Sequence, residues 1–320
     1  MTAPVSADHA ARATESGPYG DDVIRQLNAL TSEFYAREAA SFSATRQAPW
    51  HGWEEAWGII AGSDPTLAGR PLSVLDLGCG NLRFERFLAE RAAGPLSVHA
   101  VDNCAALAQE GLGLREASRE PDDPRPAGGY LARALSASNA GAAPSASVTF
   151  QKLDIVEALL SGTFAERLPR ASCDLAVAFG VMHHLATFEH RATVLESLVA
   201  SLRPGGFAIV SFWQFLNDSR LAAKAEAATA AGRSRYRLPP FGDGDFLLGW
   251  QHAENVFRFC HHTSDSEIDA LLSICGIVRQ DGTAAGESPV PADVSLREIA
   301  RFSADGKTGD LNRYLVLQRP

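Results

Sequence analysis

Short apolar runs alternate with segments of helical spacing along much of the chain. The runs have the length of buried or alternating strands, and they lie at 74–77, 97–101, 148–154, 173–179, 207–213, 277–280 and 311–317. Between these runs, apolar residues recur at helical spacing over 83–90, 189–202 and 264–275. This alternation predicts an α/β fold with a doubly wound, mostly parallel sheet of seven strands.

A helical segment is also predicted before the first strand. Apolar residues recur at helical spacing over 21–40, and a further helix is expected over 54–60. Arg46, Trp50 and Trp53 lie around the break between these helices. Two interpretations of this N-terminal segment stay open. It is either a packed cap whose tryptophans belong to the core, or a lid that covers a bound ligand.

Several segments depart from the alternation of strands and helices. Residues 1–20 are rich in Ala, Ser and Asp and are predicted to be a disordered tail. Residues 111–147 are rich in Pro, Gly, Ala and Ser, which predicts a mobile insertion with some helix near 130–135. Residues 214–262 form a second insertion after the fifth strand, and residues 281–305 are expected to be loop.

The candidate chemistry is concentrated in the stretch Val74–Phe84. Gly78 and Gly80 follow the first strand and precede a helix, so the backbone can turn sharply and a ligand can approach it closely. Such an arrangement is typical of a nucleotide-type site at the carboxyl edge of a sheet. The dehydrogenase fingerprint would need a glycine where Arg83 stands, and Asp76 suits a cationic amino group better than a pyrophosphate. An ordinary tight turn is the alternative without a ligand.

Acidic residues end two further predicted strands. Asp102 follows the second strand, where an acid in a doubly wound sheet binds ribose hydroxyls, about 20 residues or more past the glycines. Asp154 ends the third strand and is expected to bind the amino group of an adenine. A cap on the next helix is the alternative for Asp102.

Composition and charge narrow the class of protein. The chain has 320 residues, 46% of them apolar, which suits one large domain or two small ones. No apolar run reaches the length of about 18 residues that suggests a membrane span, and the start lacks the pattern of a secretory signal. A net charge of −9 gives no sign of a strongly basic face. Scattered cysteines at 79, 104, 173, 260 and 275 indicate a reducing cytoplasm without a disulfide framework.

These motifs together resemble those of the class I S-adenosylmethionine-dependent methyltransferases. The resemblance rests on Val-Leu-Asp-Leu-Gly-Cys-Gly at 74–80, on Asp102 and Asp154, and on the Leu-Arg-Pro-Gly-Gly turn at 202–206. It covers about residues 70–213.

The resemblance implies a Rossmann-like methyltransferase domain over 21–320 with S-adenosylmethionine as its cofactor. Leu82 stands where the family usually has its last glycine, and we expect its side chain to narrow the methionine end of the site. The residues on which the cofactor is expected to lie are Arg46, Asp76, Gly78, Cys79, Gly80, Asp102, Asn103, Asp154, Ile155 and Phe179.

A finer resemblance is to the tRNA wobble-uridine carboxymethyl methyltransferases of eukaryotes. Four segments occur in that family's order: Phe42-Ser43-x-Thr45-Arg46 with Pro49-Trp50, Val181-Met182-His183-His184-Leu185, Asp245-x-x-x-x-Trp250 and Arg258-Phe259-Cys260-His261. The family usually has an aromatic residue where Cys260 stands. The resemblance implies an anionic methyl acceptor, a carboxylate on a modified tRNA uridine, and a small activating protein partner.

The candidate catalytic side chains are His183, His184 and Arg258. The histidines follow the fourth strand, and imidazole titrates near pH ~6.5, so either suits a base or an orienting donor. Alternatively, one histidine caps the next helix and the other packs. Arg258 is expected to hold an acceptor carboxylate through two parallel hydrogen bonds. Further positive charge in the same insertion comes from Arg233, Arg235 and Arg237.

Three functions stay open at the level of the sequence. The first is methyl transfer to a tRNA base or a small molecule, the second an inactive methyltransferase-like RNA-binding protein, and the third an oxidoreductase on a similar sheet. The motif at 74–80 favours the first. No metal is expected, because Cys260-His261-His262 has no second cluster at zinc-binding spacing.

Overall fold

A computed structural model of the chain describes residues 19–111, 130–135, 146–251, 253, 255–278 and 296–320. Its strands are β1 (Leu72–Leu77), β2 (Leu96–Asp102), β3 (Tyr130–Leu135), β4 (Ala146–Lys152), β5 (Cys173–Ala178), β6 (Leu202–Trp213), β7 (Asp245–Leu248), β8 (Arg258–His261), β9 (Arg297–Ala304) and β10 (Asn312–Gln318). Its α-helices are α1 (Asp21–Ala44), α2 (His51–Ser63), α3 (Arg83–Ala89), α4 (Ala105–Gly111), α5 (Ile155–Leu160), α6 (Phe188–Ser201), α7 (Ser219–Tyr236) and α8 (Asp265–Ile274).

The main sheet has the strand order β3-β4-β2-β1-β5-β6-β10-β9. The five strands from β4 to β6 are parallel, whereas β3, β10 and β9 pair antiparallel with their neighbours. The chain runs outward from β1 to β2 and β4, then returns to the other side of β1 with β5. Loops diverge at this switch in strand order, and their divergence leaves a crevice beyond the carboxyl ends of the strands.

The two faces of the sheet pack into two separate apolar clusters. Leu75 and Ala176 point to a cluster that includes residues of α1, α5, α6 and α8. Val74 and Val177 point to the other cluster, which includes residues of α2 and α3. Because alternate residues of β1 and β5 face opposite layers, both strands are apolar along nearly their whole length. The predicted doubly wound fold is confirmed.

Two sequence predictions are wrong at the edges of this sheet. Residues 130–135, expected to be partly helical, form β3, because their backbone pairs antiparallel with β4. Within 281–305, expected to be loop, β9 pairs antiparallel with β10 and brings the sheet to eight strands. Both segments carry weak patterns of their own, and pairing with a preformed edge decides their conformation.

The insertion at 214–262 follows β6, which is the fifth strand predicted from the sequence, and it lies on the same side of the sheet as α1. It contains α7 and an antiparallel hairpin of β7 and β8, whose register pairs Asp245 with His261. Helix α1 packs against β8. Residues 1–18 of the predicted disordered tail and most of the predicted mobile insertion at 111–147 lie outside the described residues. The tail prediction is wrong at Tyr19, which is buried because its hydroxyl donates to Asp245 at 2.7 Å. Within the described parts of the chain, none of the helices has both the length and the hydropathy of a membrane span.

Candidate functional site

A cavity of about 520 Å³ lies at the switch in strand order. Its walls come from the ends of β1, β2, β4 and β5 and from α1 and the segment before α2. The cavity brings together every residue that the sequence assigned to the cofactor: Arg46, Asp76, Gly78, Cys79, Gly80, Asp102, Asn103, Asp154, Ile155 and Phe179. Of the three candidate catalytic residues, His184 lines this cavity, whereas His183 and Arg258 lie outside its lining.

The glycine turn closes the cavity floor. Gly78 and Gly80 have φ angles of 77° and 54°, a left-handed conformation that favours glycine. A Cβ on Gly78 would also come within 3.0 Å of Val181. Leu82 shares the left-handed conformation, but its side chain is fully buried in an apolar cluster and does not line the cavity. The expectation that Leu82 narrows the site is therefore wrong, because the left-handed backbone turns this side chain into the core.

Asp102 braces the glycine turn with its carboxylate. The Gly80 N–H donates to Oδ2 at 2.9 Å, and the Cys104 N–H donates to Oδ1 at 2.7 Å. Each oxygen keeps a second lone pair that can accept from a ligand hydroxyl. Burial raises the pKa of Asp102, while the backbone N–H groups lower it. The same residue thus fixes the turn and offers acceptors to the cavity.

Asp154 connects three elements at the opposite side of the cavity. It caps α5 by accepting from the Glu157 N–H at 3.1 Å. The Asn28 amide from α1 donates to both of its oxygens, at 3.0 and 2.9 Å, and the Asn103 amide donates to Oδ2 at 3.2 Å. These bonds hold α1 across the end of β4, where the sequence expected an adenine.

The His184 ring is hydrogen-bonded at both nitrogens. Nδ1 lies 2.7 Å from the Phe259 carbonyl oxygen, which can only accept, so Nδ1 carries the proton. Nε2 lies 2.9 Å from the Tyr35 hydroxyl and must accept its proton. Burial, with a smaller effect from Arg258, lowers the pKa of His184 to about 3 although the Phe259 carbonyl favours the charged ring. His184 is neutral and orients Tyr35, whose remaining lone pairs can only accept.

His183 lies behind this pair and is 7% exposed. Its ring centroid is 4.1 Å from that of His184 and 5.0 Å from that of Trp213. Its Nδ1 has no hydrogen-bond partner within the described part of the chain, and burial lowers the pKa of His183 well below the usual range. The geometry matches the packing alternative that the sequence left open.

Among the described residues, His183, His184 and Cys260 could form a metal-ligand cluster, with ligand atoms within 4.8 Å of one another. A metal would have to displace the Phe259 or Tyr35 contact of His184. Burial raises the pKa of the Cys260 thiol to about 11, and the adjacent Arg258 guanidinium opposes a second cation. The existing hydrogen bonds of His184 and the charge of Arg258 therefore both oppose a zinc ion at this cluster.

Arg258 occupies an aromatic box beneath the histidines and is 5% exposed. Its guanidinium carbon lies 4.4 Å from the Phe34 ring centroid and 5.7 Å from those of Trp213 and Trp250. Nη1 donates weakly to the Gly249 carbonyl at 3.5 Å, and Nε has no hydrogen-bond partner among the residues that the structure describes. No carboxylate of the described residues pairs with it, so its charge acts on the histidines.

Two further arginines face the cavity without an acidic partner among the described residues. Arg46 lies over the Phe42 ring at 4.6 Å, and Arg83 lies over the Trp50 and Trp53 rings at 5.4 and 5.1 Å. Burial and the neighbouring Arg46 lower the pKa of Arg83 to about 10. Like charges at close range favour an anionic ligand between them.

The other arginines of the insertion are placed differently. Arg233 donates to the Pro239 carbonyl at 2.8 Å, and Arg235 lies over the ring of its neighbour Tyr236. Together with Arg237, they lie outside the cavity lining. These three arginines therefore have structural or surface positions and do not contact the cavity.

The N-terminal helical segment packs into the core and also lines the cavity. Trp53 is 3% exposed and packs against Phe84 and Phe179, as a core residue does. Trp50 is half-buried and lines the cavity mouth. Asn81 ties the segment to the glycine turn, since its amide donates to Ser43 at 2.9 Å and to the Arg46 carbonyl at 3.2 Å. The segment therefore closes one side of the cavity.

Sequence reasoning missed three residues of this site. Tyr35 belonged to the apolar pattern that predicted α1. Arg83 was considered only as the residue that stands where the dehydrogenase fingerprint has a glycine. Glu85 was hidden in the helical pattern of α3, although it is fully buried beside Asp76. Glu85 stands between the apolar residues Phe84 and Phe87 of α3, and this position was the one signal in the sequence. The spacing does not show whether the Glu85 side chain points into the core or into solvent.

A glycine turn after the first strand, acids at the ends of the next two strands and a cavity at the switch in strand order define a Rossmann-like enzyme with a nucleotide-type cofactor. The sequence profile of a family described as "Methyltransferase domain" matches residues 37–273. The chain belongs to this family and is an S-adenosylmethionine-dependent methyltransferase, as the glycine motif predicted.

Curated relatives are similar over different lengths. A provisionally named methyltransferase of Encephalitozoon cuniculi, ECU09_1500, is 26% identical over 76% of this chain and 82% of its own length. The mouse tRNA (carboxymethyluridine(34)-5-O)-methyltransferase ALKBH8 is 39% identical over 57 residues. That match spans 18% of this chain and only 9% of the mouse protein.

Solved structures are similar in overall shape at low identity. The 1,6-didemethyltoxoflavin-N1-methyltransferase of Burkholderia thailandensis has a TM-score of 0.48 and 16% identity, covering 100% of this chain and 92% of that one. CalS10, an amino pentose methyltransferase of Micromonospora echinaspora, has a TM-score of 0.45 and 14% identity, covering 88% and 95%. At these TM-scores, neither structure bears on the substrate of this chain.

Proposed function

We propose that this methyltransferase transfers the methyl group to a carboxylate, and that the carboxymethyl group of a tRNA uridine is its first candidate acceptor. The observation that carries the proposal is the pair of cavity arginines, Arg46 and Arg83, which lack acidic partners among the described residues. A carboxylate acceptor and the methionine carboxylate of the cofactor are two anions, and each needs a cation.

The proposed placement of the cofactor follows the strand ends. Its ribose lies at Asp102 and its adenine near Asp154, while its ammonium group faces Asp76 and its carboxylate pairs with Arg46. Arg83 then takes the acceptor carboxylate. Arg258, from the aromatic box behind His184, adds a positive field on the acceptor side, where the sequence expected it to bind the carboxylate directly.

The hydrogen-bonding state of His184 supports a carboxylate over a hydroxyl or amine acceptor. An ionised carboxylate needs no base, whereas a hydroxyl or amine acceptor often does. The buried neutral His184 has no nitrogen free to take a proton. The methyl group is already electrophilic on the cofactor's sulfonium, so the side chains need only position the two reactants in line.

Two acceptors carry the required carboxylate. The 57-residue match to mouse ALKBH8 supports tRNA carboxymethyluridine. The net charge of −9 supports a small-molecule carboxylate, because an acidic chain attracts tRNA poorly. The family resemblance also implies an activating protein partner, and we propose this partner only for the case in which tRNA is the acceptor.

The chemistry of the product tests the proposal. The protein is incubated with S-adenosylmethionine labelled in its methyl group and with cell extract separated into RNA and small-molecule fractions. We expect the transferred label to be released as volatile methanol by mild alkali, since methyl esters hydrolyse and N-methyl or ether products do not. Ribonuclease treatment distinguishes tRNA from a small acceptor. Label that resists alkali in both fractions would rule out the carboxylate.

The roles of the two arginines are tested by substitution with lysine, which keeps the charge and loses the bidentate geometry. Arg83→Lys should raise the KM for the acceptor about tenfold or more, a loss of at least roughly 1.4 kcal/mol, and leave cofactor affinity unchanged. Arg46→Lys should weaken the cofactor instead. Arg91→Lys is the matched control, because Arg91 pairs with Glu54 away from the cavity. If Arg83→Lys weakened cofactor binding as much as Arg46→Lys, the assignment of Arg83 to the acceptor would be rejected.

A further inference from the structure

Two carboxyl groups lie against each other beneath the glycine turn. Asp76 from β1 is 2% exposed and Glu85 from α3 is fully buried. The two groups are within hydrogen-bonding reach of each other, and Asp76 also lines the cavity. Apart from the backbone N–H of Glu85, which lies near its own carboxylate, no N–H or O–H group of the described residues donates to Asp76 Oδ1 or to either Glu85 oxygen.

The surroundings offer this pair little compensation for negative charge. Asp102, from the end of β2, adds a further negative charge. Arg86, on the same helix as Glu85, is the neighbouring cation, and the Cys79 thiol of the glycine turn is kept neutral by burial. Two ionised carboxylates in contact would repel each other strongly in such a site, so the pair retains a shared proton.

The pKa shifts of the two groups agree with their geometry. Burial raises the pKa of Glu85 to about 7. Burial and the proximity of Glu85 raise the pKa of Asp76 well above its usual range. A shared proton supplies the hydrogen bond that the buried oxygens otherwise lack. The two groups titrate as a unit with macroscopic pKa values.

We infer that Asp76 and Glu85 together form the receptor for the cofactor's ammonium group, and that binding of this group expels their shared proton. The inference rests on the cofactor placement proposed above, in which the ammonium faces Asp76. The ammonium keeps its own proton and lies on the cavity side of Asp76, where its positive charge replaces that of the shared proton, and the expelled proton passes to the buffer. Glu85 is thus a positioning residue, since it acts on the cofactor through Asp76.

This arrangement makes cofactor affinity depend on pH in a defined direction. Below a pKa of about 7 the pair holds its proton, so binding must displace it, and affinity should rise up to about tenfold per pH unit between roughly pH 5.5 and 7. The ammonium remains largely protonated in this range. An analogue without the amino-acid end leaves the pair untouched and should bind with no such dependence.

Calorimetry with the full chain tests the inference. S-adenosylhomocysteine, which carries the same amino-acid end, is titrated into the protein near pH 7 in phosphate and in Tris buffer. The difference in heat between buffers gives the number of protons released. We expect about half a proton per bound ligand near pH ~7, where the pair is half ionised. We expect none for methylthioadenosine, which lacks the amino-acid end.

Glu85→Gln should abolish the proton release and flatten the pH dependence of the Kd, and Glu90→Gln, an exposed acid just after α3, serves as control. Release by S-adenosylhomocysteine that persists in Glu85→Gln would overturn the role of Glu85 alone. Equal release by both ligands, or none by either, would overturn the ammonium placement as well. The comparison of the two ligands needs no variant, so it decides the matter even if Glu85→Gln misfolds. The alkali test of the acceptor is independent of these results.

Discussion

The direction of one hydrogen bond determines what Tyr35 can do in the cavity. The Phe259 carbonyl fixes the proton on His184 Nδ1, and Nε2 then takes the proton of the Tyr35 hydroxyl. Burial raises the pKa of Tyr35 to about 12, so the phenol stays protonated at neutral pH. Tyr35 therefore presents only acceptor lone pairs to a ligand, and groups that donate are favoured beside it.

Leu82 shows how a single backbone angle changes the meaning of a motif position. A left-handed leucine costs about 1–2 kcal/mol relative to the ordinary conformation. Burial of the side chain against the apolar cluster under α3 and α4 offsets this cost. The residue that replaces the family's glycine is thus part of the core, and the turn keeps its shape.

Leu82→Ala should destabilise the protein without affecting the cofactor site. Removing a fully buried leucine side chain leaves a cavity and lowers the free energy of unfolding by about 2–5 kcal/mol. Urea denaturation measures the loss, and S-adenosylhomocysteine affinity is measured on the folded variant. Affinity that falls about tenfold while stability is kept would place Leu82 in the site after all.

Among the elements, the hairpin of β7 and β8 is held by a network of charges on the acceptor side. His261 Nδ1 lies 2.6 Å from Asp245 Oδ1, and Nε2 lies 2.7 Å from Glu267 Oε2 on α8. Glu267 in turn accepts from Arg191 of α6 at 2.7 Å, and the Tyr19 hydroxyl donates to Asp245 at 2.7 Å. The hairpin that carries Arg258 is therefore fixed to the body of the domain.

This network should weaken as the pH rises. Burial lowers the pKa of His261, but its hydrogen bonds to Asp245 and Glu267 outweigh burial and raise the pKa above 6.5. Because the pKa of His261 is higher in the folded than in the unfolded protein, protonation of the ring stabilises the fold. This contribution to the free energy of unfolding is complete below the unfolded-state pKa and is lost as the pH rises through the folded-state pKa. The imidazolium thus holds the hairpin most firmly on the acidic side of neutrality.

His261→Gln should cost about 3 kcal/mol of unfolding free energy near pH 6 and about 1 kcal/mol near pH 9. Urea denaturation of the variant and the wild type at both pH values measures the difference. His262→Gln is the matched control, because burial lowers the pKa of His262 to about 4 and keeps it neutral at both. A cost for His261→Gln that is the same at both pH values would show that the ring is not charged.

At the scale of the whole molecule, the site is a source of instability until the cofactor binds. The folded protein holds the carboxyl pair and two arginines, Arg46 and Arg83, around the same cavity, and neither arginine has an acidic partner among the described residues. Each of these groups is better solvated in the unfolded chain. The cofactor supplies an ammonium and a carboxylate, so it offsets both kinds of charge at once and should stabilise the fold in addition to simple mass action.

The stability of the cofactor-free protein should therefore fall between about pH 5 and pH 8. In the unfolded chain Glu85 ionises near its ordinary value, whereas in the folded chain its pKa is about 7, so the stability is present at low pH and lost as the pH rises through that value. We expect a fall on the order of 3 kcal/mol by urea denaturation, and a smaller fall with saturating S-adenosylhomocysteine. If the free energy of unfolding without ligand stays constant or rises over this pH range, the pKa values of Asp76 and Glu85 are not raised in the folded protein.

Much of the site could be predicted from the sequence, because its residues follow strands along the chain. Gly78, Asp102 and Asp154 each come directly after an apolar run, and parallel strands bring their carboxyl ends to one edge. The fold class follows from the same alternation of apolar runs and helical segments. The pattern failed at β3 and β9, since edge strands depend on pairing with β4 and β10 and carry little pattern of their own.

The amino-acid sequence by itself determined the order of strands and helices and the glycine turn, because these depend on local spacing and backbone freedom. Only the tertiary structure decided where side chains point. It brought Tyr35 from α1 to His184, turned Leu82 into the core and set Glu85 against Asp76. Contacts between residues far apart in the chain are fixed by packing of whole elements, and no local pattern records them.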